Sequence, residues 1–194
     1  FMLGLLEIGA VALLIGVLLL AVPGASLSFA TFAHAAASLG GGWQAFIGLL
    51  FLIGFGAKLG ILPFYEWFPA AYGSGSGASG AILSGVVLNA AFYGLSRVLT
   101  VWLPVSVPAI GIVVVAAGTL SAVLAILYAF QQEDWRSLLS FSSAENASIA
   151  VATLGAAVMF RADGQMQLAG LAWTVALLHL AGHSLAKVTL FLTA

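Results

Sequence analysis

Six apolar runs, each long enough to cross a lipid bilayer, constrain this chain more than any other feature. They occupy residues 2–22, 43–62, 81–103, 107–131, 138–160 and 168–193. A transmembrane helix needs about 20 apolar residues, whereas a strand of a membrane barrel needs about ten with alternating polarity. In lipid the backbone must satisfy its own hydrogen bonds. The sequence therefore predicts an all-α, polytopic transmembrane helical bundle of about six spans.

Composition supports a membrane location and narrows the possible functions. Hydrophobic residues make up 63% of the 194 residues and charged residues 6%, against about 25% charged in soluble domains. The net charge of −1 argues against a nucleic-acid partner, and the lack of cysteine excludes disulfides and iron–sulfur ligation. Both ends, Phe1 and Ala194, lie in apolar runs, which predicts an internal piece of a larger polypeptide. Short connections predict a single domain over residues 1–194.

The second apolar run is interrupted. Pro63 breaks it, and residues 64–71 carry a second proline, Pro69, which predicts a broken helix or an interfacial segment. Residues 73–77 alternate glycine and serine and predict a flexible turn. The aromatic residues after the break are expected to form an interfacial belt, and they are Phe64, Tyr65, Trp67 and Phe68.

Four charged side chains fall inside spans, where charge is costly and marks an ion or proton path by default. Glu7 lies about five residues into its span, roughly 7–8 Å deep at 1.5 Å per residue. Lys58 lies at a similar depth in the antiparallel neighbour. Glu145 and Lys187 match in the same way on the last two spans. Opposite charges at one depth lower each other's desolvation cost, so the sequence predicts two acid–lysine pairs.

The last span carries a stripe of ionisable groups. His179, His183 and Lys187 are four residues apart and therefore share one helical face. Such a stripe can pass a proton along hydrogen bonds and bridging water, although a helical histidine can also be a hydrogen-bonded core residue. Both histidines lie on one face and other spans contain none, so neither bis-histidine haem nor a metal site is predicted. The polar side chains expected to hold water are Asn89, Ser142, Ser143 and Asn146.

The remaining charged side chains lie near the ends of the spans. Arg97, Arg136 and Arg161 are expected to be anchors whose guanidinium groups reach the headgroup layer. His34 lies in a loop and is expected to be solvated. Arg136 falls on one side of the bilayer and the other two arginines on the opposite side. This distribution is too even to assign an orientation.

Three stretches, in the same order and spacing, resemble the antiporter-like proton-pumping subunits of respiratory complex I, Mrp antiporters and membrane-bound hydrogenases. Residues 54–69, which include Lys58 and Pro63, resemble the lysine-bearing seventh helix and the loop after it. Residues 134–146 resemble the tenth-helix region, and their Ser-Ser-x-Glu-Asn form is similar to the hydrogenase-4 and formate hydrogenlyase branch. Residues 179–192, with a His-x-x-x-His-x-x-x-Lys core, resemble the eleventh helix.

The resemblance implies that the chain covers about helices six to eleven of a subunit with two inverted repeats, each containing a broken helix. Residues 1–103 would end the first repeat and residues 104–194 would begin the second. Lys58 would be the central protonatable lysine of the first half-channel. The polar axis that links the two halves would comprise Glu145, His179, His183 and Lys187.

Two features depart from the family pattern: Asn89, and the loop Trp135-Arg136-Ser137, which has one basic residue fewer than the family's usual Leu-Lys-Arg. Asn89 stands where the family often has a lysine or histidine, and a neutral amide can hold water but cannot bind and release a proton. The glutamate that usually pairs with the seventh-helix lysine falls outside this chain. Glu7 is the substitute candidate, on the basis of depth alone.

The resemblance implies a proton-translocating subunit of a hydrogenase-like or NADH-dehydrogenase-like redox complex, without a catalytic centre or cofactor of its own. Its expected partners are other membrane subunits, a peripheral redox module, lipid and protons, in the inner membrane of a prokaryotic cell. Two alternatives stay open. One is an inactive scaffold, which Asn89 makes plausible. The other is an Mrp-type sodium/proton antiporter subunit, with a sodium site formed in part by Glu145, Ser142, Ser143 and Asn146.

Overall fold

The computed structural model describes residues 2–103 and 108–193, and most of these residues are helical. The helices are short in the first loop and at the break after the second apolar run, and long elsewhere. The α-helices among the described residues are α1 (Met2–Gly24), α2 (Phe32–Ala37), α3 (Gly41–Leu59), α4 (Trp67–Ser74), α5 (Gly77–Ile82), α6 (Leu88–Arg97), α7 (Pro108–Ala129), α8 (Trp135–Ala162) and α9 (Met166–Thr193).

The predicted bundle of six spans is confirmed. Six helical stretches of the described chain are long and apolar enough to cross a membrane, and each corresponds to one predicted run. Pro104 and Val107, expected to end the third run and begin the fourth, lie outside the described residues, as do Phe1 and Ala194. The six stretches are Gly4–Gly24, Gly41–Ser74, Gly77–Trp102, Ala109–Ala129, Trp135–Ala162 and Met166–Thr193.

The predicted break near Pro63 is also confirmed. The helix α3 ends at Leu59 and is capped by Gly60, whose φ of +71° is a left-handed conformation that favours glycine. A short 3₁₀ turn, Phe64–Glu66, leads into α4. Hydrogen bonds from outside α3 fix the break. The Leu62 N–H donates to the Ser121 hydroxyl on α7 at 3.0 Å, and the Trp67 indole N–H donates to the Ala57 carbonyl at 2.8 Å.

The prediction of an aromatic interfacial belt after the break is wrong for Trp67 and Phe68. Trp67 and Phe68 are buried in the hydrophobic core. Phe68 stacks on Tyr72, which in turn contacts Phe191 of α9. Because α4 turns back into the bundle, its aromatic face packs between helices instead of lying at the headgroup level.

The glycine–serine stretch is more ordered than the sequence predicts. Gly73 and Gly77 lie within α4 and α5, so only Gly75 and Ser76 remain between the helices. The Ser76 hydroxyl caps α5 by accepting the Ser79 N–H at 3.2 Å. The Arg136 guanidinium donates to the Gly75 carbonyl at 2.9 Å. Arg136 therefore ties α8 to this turn and is not simply a headgroup anchor.

The third span contains two π-helical turns. They comprise Leu83–Val87, between α5 and α6, and Val98–Trp102, after α6. Each has a backbone carbonyl that accepts a hydrogen bond from a side chain. The Asn89 amide donates to the Gly85 carbonyl at 2.8 Å, and the Arg161 guanidinium donates to the Thr100 carbonyl. π-helical turns are rare and often occur at functional sites.

The other peripheral residues agree with the sequence analysis. His34 is exposed, although it lies on the short helix α2 and not in an irregular loop. Arg97 is exposed in the last turn of α6, as expected for an anchor. Arg136 and Arg161 each donate a hydrogen bond to a distant part of the chain. Among the described residues, Arg97 makes no such bond.

Small residues allow α1 and α3 to pack closely. A Cβ atom added at Gly9 would lie 2.6 Å from the Ala57 Cβ and 3.2 Å from the Gly54 carbonyl oxygen. Both of these atoms are fixed to the α3 backbone, so they cannot move aside as a flexible side chain can. Close approach through small residues is the common way for helices to associate in lipid.

Replacement of Gly9 by alanine should therefore weaken the α1–α3 contact. We expect the overpacked Gly9→Ala variant to lose about 1–3 kcal/mol of unfolding free energy, measured by denaturant titration in detergent. Gly4→Ala is the matched control, because it lies on the same helix and its added Cβ meets no atom within 4 Å. Equal stability of the two variants would contradict close α1–α3 packing.

Asp134 caps the first turn of α8. Its carboxylate accepts the Ser137 N–H at 2.8 Å. This bond, more than the nearby Arg136 charge, lowers the pKa of the exposed Asp134 carboxyl below its ordinary value of 3.8. A lowered folded-state pKa means that the cap stabilises α8 at all pH values above the unfolded pKa.

The cap should be lost only as the pH falls through that lowered pKa. We expect the Ser137 amide chemical shift, followed by NMR in micelles, to titrate with a midpoint below 3.8. Asp134→Asn retains a capping side chain without a titrating group, and should abolish the titration. A midpoint at or above 3.8 in the unmodified protein would rule out the carboxylate cap.

Candidate functional site: a polar seam between α8 and α9

A buried lysine lies between the last two helices. Lys187 of α9 is 5% exposed, and its ammonium donates to the Leu139 carbonyl of α8 at 3.2 Å. His183, one turn earlier on α9, is 7% exposed. The predicted stripe on α9 therefore turns two of its members towards the protein interior, as burial of polar side chains in a membrane requires.

The structure brings Glu145 of α8 to the same region. The Glu145 carboxylate interacts electrostatically with His179 and Lys187, and His183 interacts with both of these α9 groups. Because α8 and α9 run antiparallel, Leu139 lies beside Lys187 and Glu145 lies towards His179. We call the set of Glu145, His179, His183 and Lys187 the polar seam.

Two predicted polar side chains lie beside Glu145. The Asn146 amide donates to the Glu145 carboxylate at 2.6 Å and to the Ser142 carbonyl at 2.8 Å. All three residues are half-buried on one face of α8. The contribution of Ser142 is thus its backbone carbonyl, and the Asn146 amide acts as a donor to the carboxylate.

Several buried polar atoms in this region have no hydrogen-bond partner in the structure. They include Nε2 of His179, both ring nitrogens of His183 and Oδ1 of Asn89. Buried polar atoms in proteins nearly always have a partner, and internal water is the usual one when protein atoms are absent. These four atoms therefore offer hydrogen-bonding positions to bound water.

The third span meets the polar seam through two side-chain contacts. The Asn89 amide donates to the Ser184 hydroxyl of α9 at 2.6 Å, in addition to its bond with Gly85. The Ser84 hydroxyl, on the first π-helical turn, lies 2.9 Å from the Ser143 hydroxyl of α8. Ser143 also donates to the Leu139 carbonyl at 2.8 Å, so it shares an acceptor with Lys187.

Sequence reasoning named Asn89 and Ser143 among the side chains expected to hold water, but it did not name Ser84, Ser184 or the Leu139 carbonyl, to which they are hydrogen-bonded. Serine is common on these spans, so its presence gave no signal. A π-helical turn shifts the register of the residues that follow it, and no hydrophobic period reveals that shift. A backbone carbonyl has no sequence signal at all.

Lys58 lies apart from the polar seam. It is half-buried in the last turn of α3, on the same helical stripe as Gly54, which packs against α1. Within residues 2–103 and 108–193 its ammonium has no hydrogen bond or ion pair. Its role as a proton-binding group stays a prediction.

The expected Glu7–Lys58 ion pair is not formed in the described structure. The two residues do lie at one level of the α1–α3 pair, because Gly9 faces Ala57. Glu7 is exposed, however, since residues two apart on a helix point in nearly opposite directions. Matching depth did not include this rotation, and the role of Glu7 stays a prediction.

Among the described residues, no three or more His, Asp or Glu side chains are close enough together to hold a metal ion. The ionisable groups of the polar seam are arranged in a series along α8 and α9.

Six spans, a broken second span and ionisable side chains between helices define an integral, multi-pass membrane protein with an antiporter-like fold. The chain belongs to the family described as NADH:quinone oxidoreductase/Mrp antiporter, transmembrane, whose model matches residues 1–194. The resemblance seen in the three sequence stretches is thereby confirmed.

Three of the similar curated proteins carry the names of hydrogenase, formate hydrogenlyase and quinone oxidoreductase components. The chain is 34% identical to hydrogenase-4 component B of Escherichia coli (strain K12) over 195 residues, covering 96% of this chain and 28% of the relative. It is 36% identical to formate hydrogenlyase subunit 3 of the same organism over 150 residues, covering 76% and 24%. It is 32% identical to NAD(P)H-quinone oxidoreductase chain 4 2 of Thermosynechococcus vestitus over 144 residues, covering 74% and 25%.

A solved structure shares the fold. A chain of the membrane-bound sulfane sulfur reductase, an archaeal respiratory membrane complex, superposes with a TM-score of 0.82 at 24% identity, covering 98% of this chain and 31% of that one. The chain thus spans less than a third of the length of each of these proteins.

The Asn89–Ser184 bond should hold the third span to α9. We expect Asn89→Ala and Ser184→Ala to be coupled by about 0.5–1.5 kcal/mol in a double-mutant cycle of unfolding free energy, because each variant removes the same hydrogen bond. Thr174→Ala is the control partner, since the exposed Thr174 bonds only its own helix at Gly170. A coupling no larger than the control's would show that the bond is not made.

Proposed function

We propose that this chain carries protons within the membrane, as part of an antiporter-like subunit of an energy-converting redox complex. The observation that carries the proposal is the buried Lys187 ammonium at one end of the polar seam, with His183, His179 and Glu145 following along the facing helices. Four ionisable groups inside a bilayer are expensive, and packing alone does not require them.

Lys187 is the group best placed to bind and release a proton. Its ammonium is held by a neutral carbonyl, and Glu145 acts on it without a direct ion pair. A nearby carboxylate favours a charged lysine, and its withdrawal favours the neutral amine. A small movement of Glu145, or a change in its charge, is therefore enough to alter proton occupancy at Lys187.

The histidines provide the next positions for the proton. Both ring nitrogens of His183 and one of His179 are buried without a protein partner, so each can bond to a bridging water. Imidazole can accept a proton at one nitrogen and release it from the other. A proton that leaves Lys187 can move along α9 by this route.

Lys58 would serve the first half of the molecule. Under the family pattern, residues 1–103 end one inverted repeat and residues 104–194 begin the next, and Lys58 is the central protonatable lysine of the first half-channel. Lys58 lies just before the break of its span, where α3 ends and the chain is not held by regular helical hydrogen bonds. Glu7 lies at its level on α1 and is the proposed acid of this half.

The redox chemistry would take place elsewhere in the complex. The relatives are named as parts of hydrogenase, formate hydrogenlyase and quinone oxidoreductase systems. This family membership supports other membrane subunits and a peripheral redox module as partners, with no catalytic centre in this chain. The bacterial relatives support the inner membrane of a prokaryotic cell as its location.

A sodium-transport role has less support. A sodium site would need Glu145, Ser142, Ser143 and Asn146 to direct oxygen atoms at one point. Ser143 faces Ser84 and the Leu139 carbonyl, on the other side of α8 from Glu145. The Asn146 amide presents a donor, not an oxygen, to the carboxylate. Dependence of transport on added sodium would favour the antiporter alternative.

Replacement of either lysine should uncouple proton movement from electron transfer. We expect Lys187→Met and Lys58→Met to reduce redox-driven proton uptake into inverted membrane vesicles at least tenfold per electron, because methionine keeps the length but cannot bind a proton. Arg97→Met is the matched control, since this exposed cation lies at a span end.

Assembly of the complex should be unchanged in all three variants. Normal proton uptake in Lys187→Met would exclude the polar seam as a path. Normal uptake in both lysine variants would leave the scaffold alternative as the better account.

A further inference from the structure

Two buried serines connect the first π-helical turn to the polar seam. Ser84 and Ser143 are both 0% exposed, and their hydroxyl oxygens lie 2.9 Å apart. Ser143 donates to the Leu139 carbonyl at 2.8 Å, so its own oxygen accepts the proton of Ser84. Lys187 donates to the same carbonyl at 3.2 Å. The two hydroxyls therefore form an ordered chain that ends beside the lysine.

We infer that Ser84 and Ser143 form a donor branch that reprotonates Lys187 from the side of the third span. The inference rests on the proposed function of Lys187 as a proton carrier. In this proposal the two hydroxyls pass the proton on. Asn89, one turn further along the third span, cannot do so because a neutral amide does not bind and release a proton.

Asn89 is occupied as a positioning residue. Its amide hydrogens are used by the Gly85 carbonyl and the Ser184 hydroxyl, and an amide does not exchange protons readily. These two bonds hold the π-helical turn against α9. Ser84 and Gly85 are adjacent within that turn, so the same bonds fix the direction in which the Ser84 hydroxyl points.

The transfer can be written with each proton accounted for. After Lys187 has passed a proton along the seam, its neutral amine takes the Ser143 hydroxyl proton as that hydroxyl turns from the Leu139 carbonyl. Ser143 takes the proton of Ser84, and Ser84 takes one from a hydronium ion delivered by water. One hydronium becomes water, Lys187 becomes an ammonium again, and both hydroxyls are restored. Only O–H and N–H bonds break and form.

A purely structural role is the competing explanation. Serine side chains often hydrogen-bond across helices in lipid, so the pair can exist for packing alone. The two roles differ in what they change. Loss of a packing bond lowers stability without changing the rate of a proton step, whereas loss of a relay changes that rate and its sensitivity to deuterium.

The test uses Ser84→Ala in the assembled complex, with redox-driven proton uptake measured in H2O and D2O. We expect uptake per electron to fall about tenfold and the solvent isotope effect to rise, because the remaining route to Lys187 must include an extra water step. Ser84→Thr keeps the hydroxyl and should restore most of the uptake.

Ser96→Ala is the matched control. Ser96 is also buried in the third span, at 4% exposed, but its hydroxyl bonds only the Tyr93 carbonyl of its own helix. We expect its uptake and isotope effect to equal those of the unmodified complex. If Ser84→Ala does not assemble, Ser143→Ala tests the same chain from α8.

Two results would overturn the inference. Unchanged uptake and isotope effect in Ser84→Ala would show that the hydroxyl pair is structural. Equal losses in Ser84→Ala and Ser84→Thr would show that shape, not the hydroxyl, matters. Lys187→Met separates this outcome from failure of the proposed function: if that variant loses uptake while Ser84→Ala does not, the lysine carries protons and the serine branch does not supply them.

Discussion

A positive charge buried between helices in a lipid bilayer must find oxygen atoms within the protein, and Lys187 finds one in the Leu139 carbonyl. A backbone carbonyl has two lone pairs, so it can serve its own helix and still accept a side-chain donor. The Ser143 hydroxyl uses the same atom. This requirement brings α8 and α9 together at the level of Lys187.

The irregular backbone of the third span follows from the same need for satisfied hydrogen bonds. Each of its π-helical turns offers a carbonyl to a side chain, Gly85 to Asn89 and Thr100 to Arg161. An unsatisfied carbonyl is costly in lipid, so the hydrogen bonds from these two side chains stabilise the π-helical turns. The first of these turns contains Ser84 and directs its hydroxyl towards Ser143 of α8.

The sequence predicted what depends on local spacing and missed what depends on rotation and register. Apolar run length predicted six spans, and Pro63 predicted the break. The four-residue spacing on α9 placed His183 and Lys187 on one face. Depth alone could not tell that Glu7 points away from Lys58, because a helix turns by about 100° per residue. Nothing local revealed that α4 would bury its aromatic face, or that π-helical turns would aim Ser84.

The arginine and lysine side chains have different roles in this bundle. Arg136 near the start of α8 holds the Gly75 carbonyl before the third span, and Arg161 near the end of α8 holds the Thr100 carbonyl in the last turn of that span. Arginine does not release its proton in proteins, so these hydrogen bonds persist at any pH and hold α8 against the third span at both ends. With both ends held, sliding of the helices is opposed. The proton movement that we propose at Lys187 would then rely on rotation of side chains and on water, for which hydroxyl and imidazole groups are suited.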